Sequence, residues 1–356
     1  MHPGRSGADK MKVLVTGHRG YIGAVLVPML LERGHYVHGL DSELFEGCDY
    51  GDFPELVPAT RKDVRDVELV DVMGFDAVLH LAGLSNDPLG DLAPSITDDI
   101  NHKASVHVAR LSKEAGVKRF VFSSSCSTYG AAGDKMIDEG AAFNPVTPYG
   151  RSKVDAEMGI SALADEAFCP VYLRNATAYG LCPRLRFDLV VNNLTAWAYT
   201  TGKVLLKSDG MPWRPIVHIE DISRAFIAAL EAPDQTVYNT AFNIGRTAEN
   251  FRIREIADMV HSKVEGSVVS YADSAGPDTR TYQVSFVKAE TELPGYSPKW
   301  TLPEGIAQLL AGFAQQGLKP DEFEDARYSR IASLKARIAS GMISTDLRRI
   351  TNLETV

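Results

Sequence analysis

Apolar residues along the first half of the chain fall into two alternating periods. Short β-branched runs, KVLVTG, HYVHGLD, AVLHLAG, KRFVFSSS and PVYLRNA, read as strands between Met11 and about Arg174. Between them, Tyr21–Arg33, Asn101–Ala115 and Pro148–Glu166 carry apolar residues at helical spacing. Runs that are apolar at nearly every position fit strands covered on both faces, so the alternation predicts a parallel sheet sandwiched by helices. Right-handed crossovers then gather the carboxyl ends of the strands at one edge, where such sheets bind ligands.

After Arg174 the alternation loosens. Helices are predicted at Phe187–Thr201, Glu220–Ala232, Ile253–Val264 and Pro303–Gln316, with strands near Val204–Leu206 and Tyr238–Asn243. The predicted fold is α/β: a Rossmann-like doubly wound parallel sheet with a smaller α+β substrate-binding lobe. Residues 1–10 are expected to be a disordered lead, 11–174 the dinucleotide domain, 175–318 the second lobe, interleaved with the first, and 319–356 a C-terminal extension. The stretch SRIASLKARIASGMISTDLRRI has helical spacing, and its apolar face could pack on the body or on a neighbouring subunit.

Composition changes this picture little. The 356 residues are 45% hydrophobic and 23% charged, too long for one core and so suited to two lobes. A formal net charge of −9 argues against a nucleic-acid binder. No apolar run reaches a membrane span, and the first ten residues lack the apolar stretch of a secretory signal. Cys48, Cys126, Cys169 and Cys182 show no metal spacing, so reduced thiols, a cytoplasmic location and no metal are expected.

The first strand ends in VTGHRGYIG, which sets Gly17, Gly20 and Gly23 three residues apart. The first permits a tight turn, the second lets a diphosphate approach the backbone, and the third allows close helix–sheet packing. The following helix presents its positive end to the phosphates. Arg19, Tyr21 and Ile22 belong to the same loop. Asp41, eighteen residues after Gly23, ends the second strand. A carboxylate there accepts from ribose hydroxyls and repels a 2′-phosphate, which favours NAD over NADP; Arg19 offers a competing phosphate contact.

Tyr149 and Lys153 form Y-x-x-x-K directly after Pro148, a good first helical residue. Four residues make about one turn, roughly 6 Å of rise, so both side chains share a face. A phenol acting as a base at neutral pH needs its pKa lowered by about three units, roughly 4 kcal/mol. One cation about 4 Å away at an effective dielectric near 20 supplies about that much. Ser125, 24 residues upstream at the end of KRFVFSSS, could relay a proton to Tyr149.

In this order, VTGHRGYIG, Asp41, KDVRD, HLAG, SSSCSTYG and PYGRSK resemble the extended short-chain dehydrogenase/reductase family of NAD-dependent sugar epimerases and dehydratases. The resemblance runs from Met11 to about Phe313. It implies adenine contacts at Asp63 and Val64, a cofactor wall of Leu81, Ala82, Gly83, Leu84 and Ser123, and Asn101 as a support of the central helix within the cofactor set. It makes Tyr149 the base, Lys153 its cationic partner and Ser125 the hydroxyl. For a nucleotide-diphosphate sugar it implies Asn175, Arg214 and Arg280 at the phosphates. Ser85, Asn86, Cys126, Ser127 and Asn192 would shape the sugar pocket. Dehydratases of the family carry an Asp-Glu pair where this chain has Cys126 and Ser127, so dehydration is not expected. Cys126 also lies one position from the acid–base cysteine of 3,5-epimerising relatives; the alternative reading is a small thiol buried behind the active-site strand. The implied reaction is epimerisation through a 4-keto sugar. Net nucleotide-sugar oxidoreduction (a 4-ketoreductase), 3,5-epimerisation, and a non-catalytic dinucleotide sensor stand as alternatives. A homodimer through Asn101–Ala115 and Pro148–Glu166 is the family's usual assembly.

Overall fold

The computed structural model describes residues 10–85, 93–131, 133, 135–276, 281–320 and 322–350. The expected disordered lead lies outside them up to residue 9, as do Asn86 and Arg280. Five strands open the fold: β1 (Lys12–Thr16), β2 (Tyr36–Asp41), β3 (Ala59–Arg61), β4 (Ala77–His80) and β5 (Arg119–Ser125). The two-residue β6 (Met136–Ile137) precedes β7 (Cys169–Asn175), β8 (Thr177–Tyr179), β9 (Lys203–Ser208) and β10 (Trp213–His218). β11 (Thr240–Ile244), β12 (Asn250–Arg252), β13 (Val268–Gly276) and β14 (Gln283–Val284) complete the set.

Seven strands pair in the order β11-β7-β5-β4-β1-β2-β3, and every pairing is parallel. Val13, Leu14 and Val15 are fully buried because helices cover both faces, which is why β1 reads as an unbroken apolar run. The order reverses between β1 and β4. At that switch point the turns after the two strands part and leave a crevice at their carboxyl ends.

One face of the sheet is covered by helices Gly23–Glu32 and Ile219–Glu231; Leu26, Leu30, Ile222 and Phe226 join the core of Val13, Val121 and Val171. Helices Ala104–Glu114 and Pro148–Ser161 cover the other, with Val108, Ala156 and Ile160 packed on Leu14, Val78 and Phe120. In the region expected to form the second lobe, β11, from the predicted Tyr238–Asn243 segment, returns to the main sheet as its edge strand beside β7. That region's own core gathers Val191, Leu194, Ile256, Val260, Ile306 and Phe313 from helices Val190–Thr201, Ile253–Lys263 and Leu302–Gln316.

Two boundaries differ from the apolar periodicity for local reasons. The helix expected from Asn101 begins earlier, as Pro94–Thr97 followed by a widened π-type turn over Asp98–Lys103. The helix from Pro148 stops at Ser161, not Glu166, because the Asp165 carboxylate accepts from the Ala167 and Phe168 N–H groups and folds a turn instead. The C-terminal stretch packs on the body: Leu334, Ile343 and Leu347 are buried with Leu40, Leu44 and Val64.

Candidate active site

A cleft with a cavity volume of about 430 Å³ opens at the switch point. On its floor, Gly17, Arg19, Gly20, Tyr21, Ile22 and Gly23 run from β1 into the first helix. Gly17 has φ +73°, and a Cβ there would stand 2.7 Å from the Ala82 nitrogen. A Cβ on Gly23 would stand 2.4 Å from the His18 carbonyl oxygen, so this glycine seats the helix on its own loop. Gly20 is different: its Cβ would meet only the Gly17 carbonyl, at 3.0 Å, and otherwise would occupy the cleft. The first helical turn carries no acidic residue to oppose an anion.

Asp41 lines the cleft at the end of β2, its carboxylate fixed by the Arg19 N–H at 3.0 Å and the Glu43 N–H at 2.7 Å. The Arg19 guanidinium turns away to Glu55 at 2.9 Å and rests 4.3 Å over the Phe53 ring. Asp63 and Val64 line the same end, where Asp63 caps a short turn and holds Arg65 with both oxygens. Leu81, Ala82, Gly83, Leu84 and Ser85 form the wall after β4.

The catalytic candidates meet this cleft from β5 and the helix beside it. Thr147 caps that helix through the Gly150 N–H, and Pro148 fixes its first turn, so Tyr149 and Lys153 lie one turn apart on the cleft side. The Lys153 ammonium donates to the Ser123 carbonyl at 2.8 Å and sits 4.7 Å over the Phe122 ring and 5.9 Å from the Tyr149 ring centroid. Burial lowers its pKa to about 8. Ser125 lines the cleft and accepts from the Ser127 N–H at 3.1 Å. Behind them, burial pushes His80 down to about 3, so its ring is a neutral link between Thr16 and Ser105.

Two further lining groups hold polar atoms without partners among the described residues: Asn175 Oδ1 and Ser127 Oγ. Such atoms are costly unless a ligand meets them. Asn175 is oriented by its Nδ2, which donates to Ser123 Oγ and the Ser124 carbonyl. Arg214 reaches the cleft from β10, over the Tyr282 ring.

Three expected site residues do not line the cleft. Cys126 is fully buried behind β5, donates its thiol to the Arg174 carbonyl, and is pushed up in pKa by burial; the turn after Ser125 rotates its side chain into the core. Asn192 is fully buried as a strut, accepting from the Gly180 N–H and donating to Tyr21 Oη and the Arg186 carbonyl. Asn101 is buried too; its amide pairs with both backbone groups of Leu84 and so shapes the wall without joining it.

The structure adds five charged lining residues that sequence reasoning missed: Glu43, Arg184, Arg186, Asp188 and Arg330. Arg184 donates to the Arg19 carbonyl at 2.9 Å and pairs with Asp49. Arg186 pairs with Asp188 and donates to Ser85 Oγ. Their signal was the RLRFD run, in which alternate positions of a loop share a side; Arg330 had none, because the basic C-terminal stretch looks like a solvated helix face.

Residues 13–245 match the sequence profile of the NAD dependent epimerase/dehydratase family. The UDP-glucose 4-epimerase of Lactobacillus helveticus is 32% identical over 311 residues, covering 81% of this chain and 92% of that protein. Its counterpart in Corynebacterium glutamicum is 29% identical, over 82% of this chain and 92% of the relative. Among solved structures, the UDP-glucose 4-epimerase of Thermus thermophilus complexed with NAD superposes with a TM-score of 0.73 at 25% identity, covering 85% of this chain and 99% of its own. The UDP-glucuronic acid 4-epimerase of Bacillus cereus, in complex with UDP-glucuronic acid and NAD, gives 0.73 at 26% identity, covering 86% and 99%. A glycine cradle under an acidic strand end, with a tyrosine and lysine one helical turn apart in the same cleft, thus accompanies likeness along most of the chain, and the chain belongs to the NAD dependent epimerase/dehydratase family.

Proposed function

We propose that the chain is an NAD-dependent epimerase of a nucleotide-diphosphate sugar, inverting C4 through a 4-keto sugar. The observation that carries this reading is the arrival of Tyr149 and Lys153 in the cleft that also contains the glycine loop and Asp41. The residues fit a dinucleotide: Gly20 leaves room where a side chain would fill the cradle, and Asp41 offers a fixed carboxylate to ribose hydroxyls. Bound NAD supplies a reversible two-electron acceptor for the sugar carbon.

The chain's own residues handle the proton and the geometry. Tyr149 takes the proton of the sugar hydroxyl as that carbon becomes a ketone, and returns it when the carbon is reduced from its other face. Lys153, buried and cationic at neutral pH, favours the phenolate. Ser125 hydrogen-bonds the reacting oxygen and relays its proton. Asn175, with its unpartnered Oδ1, and Arg214 hold the sugar nucleotide, and Ser127 and Ser85 border the sugar. With Cys126 turned into the core, neither the dehydratase acid nor a 3,5-epimerase thiol is available at that position.

Among the described residues no helix is long and apolar enough to cross a membrane; the proposed location is the cytoplasm. The proposed assembly is a homodimer through the helices around 98–114 and 148–161. The test is incubation of purified protein with UDP-glucose, UDP-galactose and a wider nucleotide-sugar panel without added cofactor, followed by stereochemical analysis. Inversion at C4, lost by a factor of about 10² or more in Tyr149→Phe, supports the proposal. Products unchanged at every centre, or stoichiometric loss of nicotinamide absorbance with added NADH, overturn it.

A further inference from the structure

The chain beyond residue 317 binds the loops that flank one end of the cleft. Arg327 donates to the Asp49 carbonyl, Arg337 to that of Glu46, and Arg349 to that of Glu43. Arg65 donates to the Asp346 carbonyl at 2.9 Å, and Arg348 pairs with Asp66. Cys48 and Ser333 hydrogen-bond at 3.4 Å. Glu43, Phe45, Asp63 and Val64, on the loops so tied, all line the cleft.

Arg330 opens the C-terminal helix Arg330–Ala339 and turns inward. It is 5% exposed, lines the cleft, and lies with its guanidinium 4.2 Å over the Phe45 ring. No acceptor among the described residues reaches its Nη1. Its cationic neighbours have carboxylates of their own, Asp49 for Arg184 and Asp188 for Arg186. Burial, with repulsion from Arg186, lowers its pKa to about 10. A buried guanidinium in this state is destabilising until an anion arrives. Arg184, beside it, is bonded to the Arg19 carbonyl of the glycine loop, which ties this cationic group to the dinucleotide side of the cleft.

We infer that Arg330 binds a phosphate of the dinucleotide, and that the C-terminal segment is a strap that delivers this arginine and retains the cofactor. The inference rests on the reading of the cleft as an NAD site. It reaches beyond the family match, which ends at residue 245. A planar fork held flat on Phe45 presents its edge for bidentate contact with phosphate oxygens. The same chemistry could serve the diphosphate of the sugar nucleotide, and the two sources give different titrations.

The test uses the full chain stripped of bound nucleotide, with NAD and UDP titrated separately by calorimetry into wild type, Arg330→Met and Arg330→Lys. The methionine variant should lose roughly 10- to 100-fold in NAD affinity, about 1.4–2.8 kcal/mol, with UDP affinity changed less than about twofold. Lysine, which keeps charge but not the fork, should lose less than methionine. The ligand-free methionine variant should melt no lower than wild type, since an unpaired buried charge has been removed; a purely structural arginine would show a lower melting temperature. Unchanged NAD affinity in both variants, or equal losses for NAD and UDP, overturns the inference. A wild-type protein that binds no NAD overturns the cofactor reading itself, and the inference with it.

Discussion

Replacing Lys153 by Met should make the ligand-free protein more stable while abolishing turnover. The ammonium is 5% exposed and its pKa stands at about 8 against an ordinary 10.5, because burial penalises the charge. Keeping it protonated at pH 7 therefore costs about 3 kcal/mol. Its hydrogen bond to the Ser123 carbonyl, lost in the variant, offsets about 1–2 kcal/mol of that. The balance is a gain of about 1–2 kcal/mol for Lys153→Met, or roughly 1–3 °C in melting temperature for a chain of this length. Between about 8 and 10.5 the unfolded chain binds more protons at this site than the folded one, so wild-type stability rises with pH through that window. The advantage of the variant should be full below pH 8 and gone by about pH 10. Differential scanning fluorimetry of both ligand-free proteins at pH 7 and pH 10 measures it. A variant that melts below wild type at pH 7, or a difference independent of pH, refutes the claim that Lys153 is held charged against the fold's preference.

Gly17 and Gly20 should respond oppositely to alanine. Gly17→Ala combines a φ of +73° with a Cβ 2.7 Å from backbone and should cost about 3 kcal/mol or more, read as a drop in melting temperature or soluble yield. Gly20→Ala should melt within about 2 °C of wild type yet lose roughly tenfold or more in NAD affinity, because its methyl group projects into the cleft. Cys126→Ala should cost about 1–2 kcal/mol of stability and leave kcat and KM unchanged within about twofold, since the thiol faces the Arg174 carbonyl in the core. A steady-state assay on the active sugar checks this, and a kcat loss above about tenfold would return Cys126 to the reaction.

The sheet was legible because both its periods are physical necessities: strands covered on two faces must be apolar throughout, and the helices that cover them must carry a stripe. β3 escaped notice because it is a three-residue edge strand of sequence ATR, with only one neighbour and two exposed residues. The glycine loop and the tyrosine–lysine pair were legible because their spacings encode local geometry, a turn after a strand and one turn of a helix. Asn192 and Cys126, expected at the sugar, do not line the cleft for the opposite reason, and Asn101 supports the wall from behind. Whether a side chain beside a site points into it depends on rotations of a turn or helix that spacing does not carry. Cys126 follows Ser125 by one residue yet faces the other way, and Asn192 spends its amide on Tyr21 and Gly180.

Charge shows the same limit at larger scale. A chain of net charge −9 collects Lys153, Arg184, Arg186 and Arg330 in one cleft, each no more than 5% exposed. No linear count could reveal this, since the four come from a helix, a loop and the C-terminal segment and meet only in the fold. Buried cations in such number are a standing cost to the empty protein, and Asp49 and Asp188 offset it only in part. Anionic ligands supply the remaining counter-charge, so binding energy and folding stability are linked through these side chains. An acidic surface around a cationic interior also favours ligands whose charge is concentrated in a diphosphate that can enter the cleft, over polyanions that would have to lie along the outside.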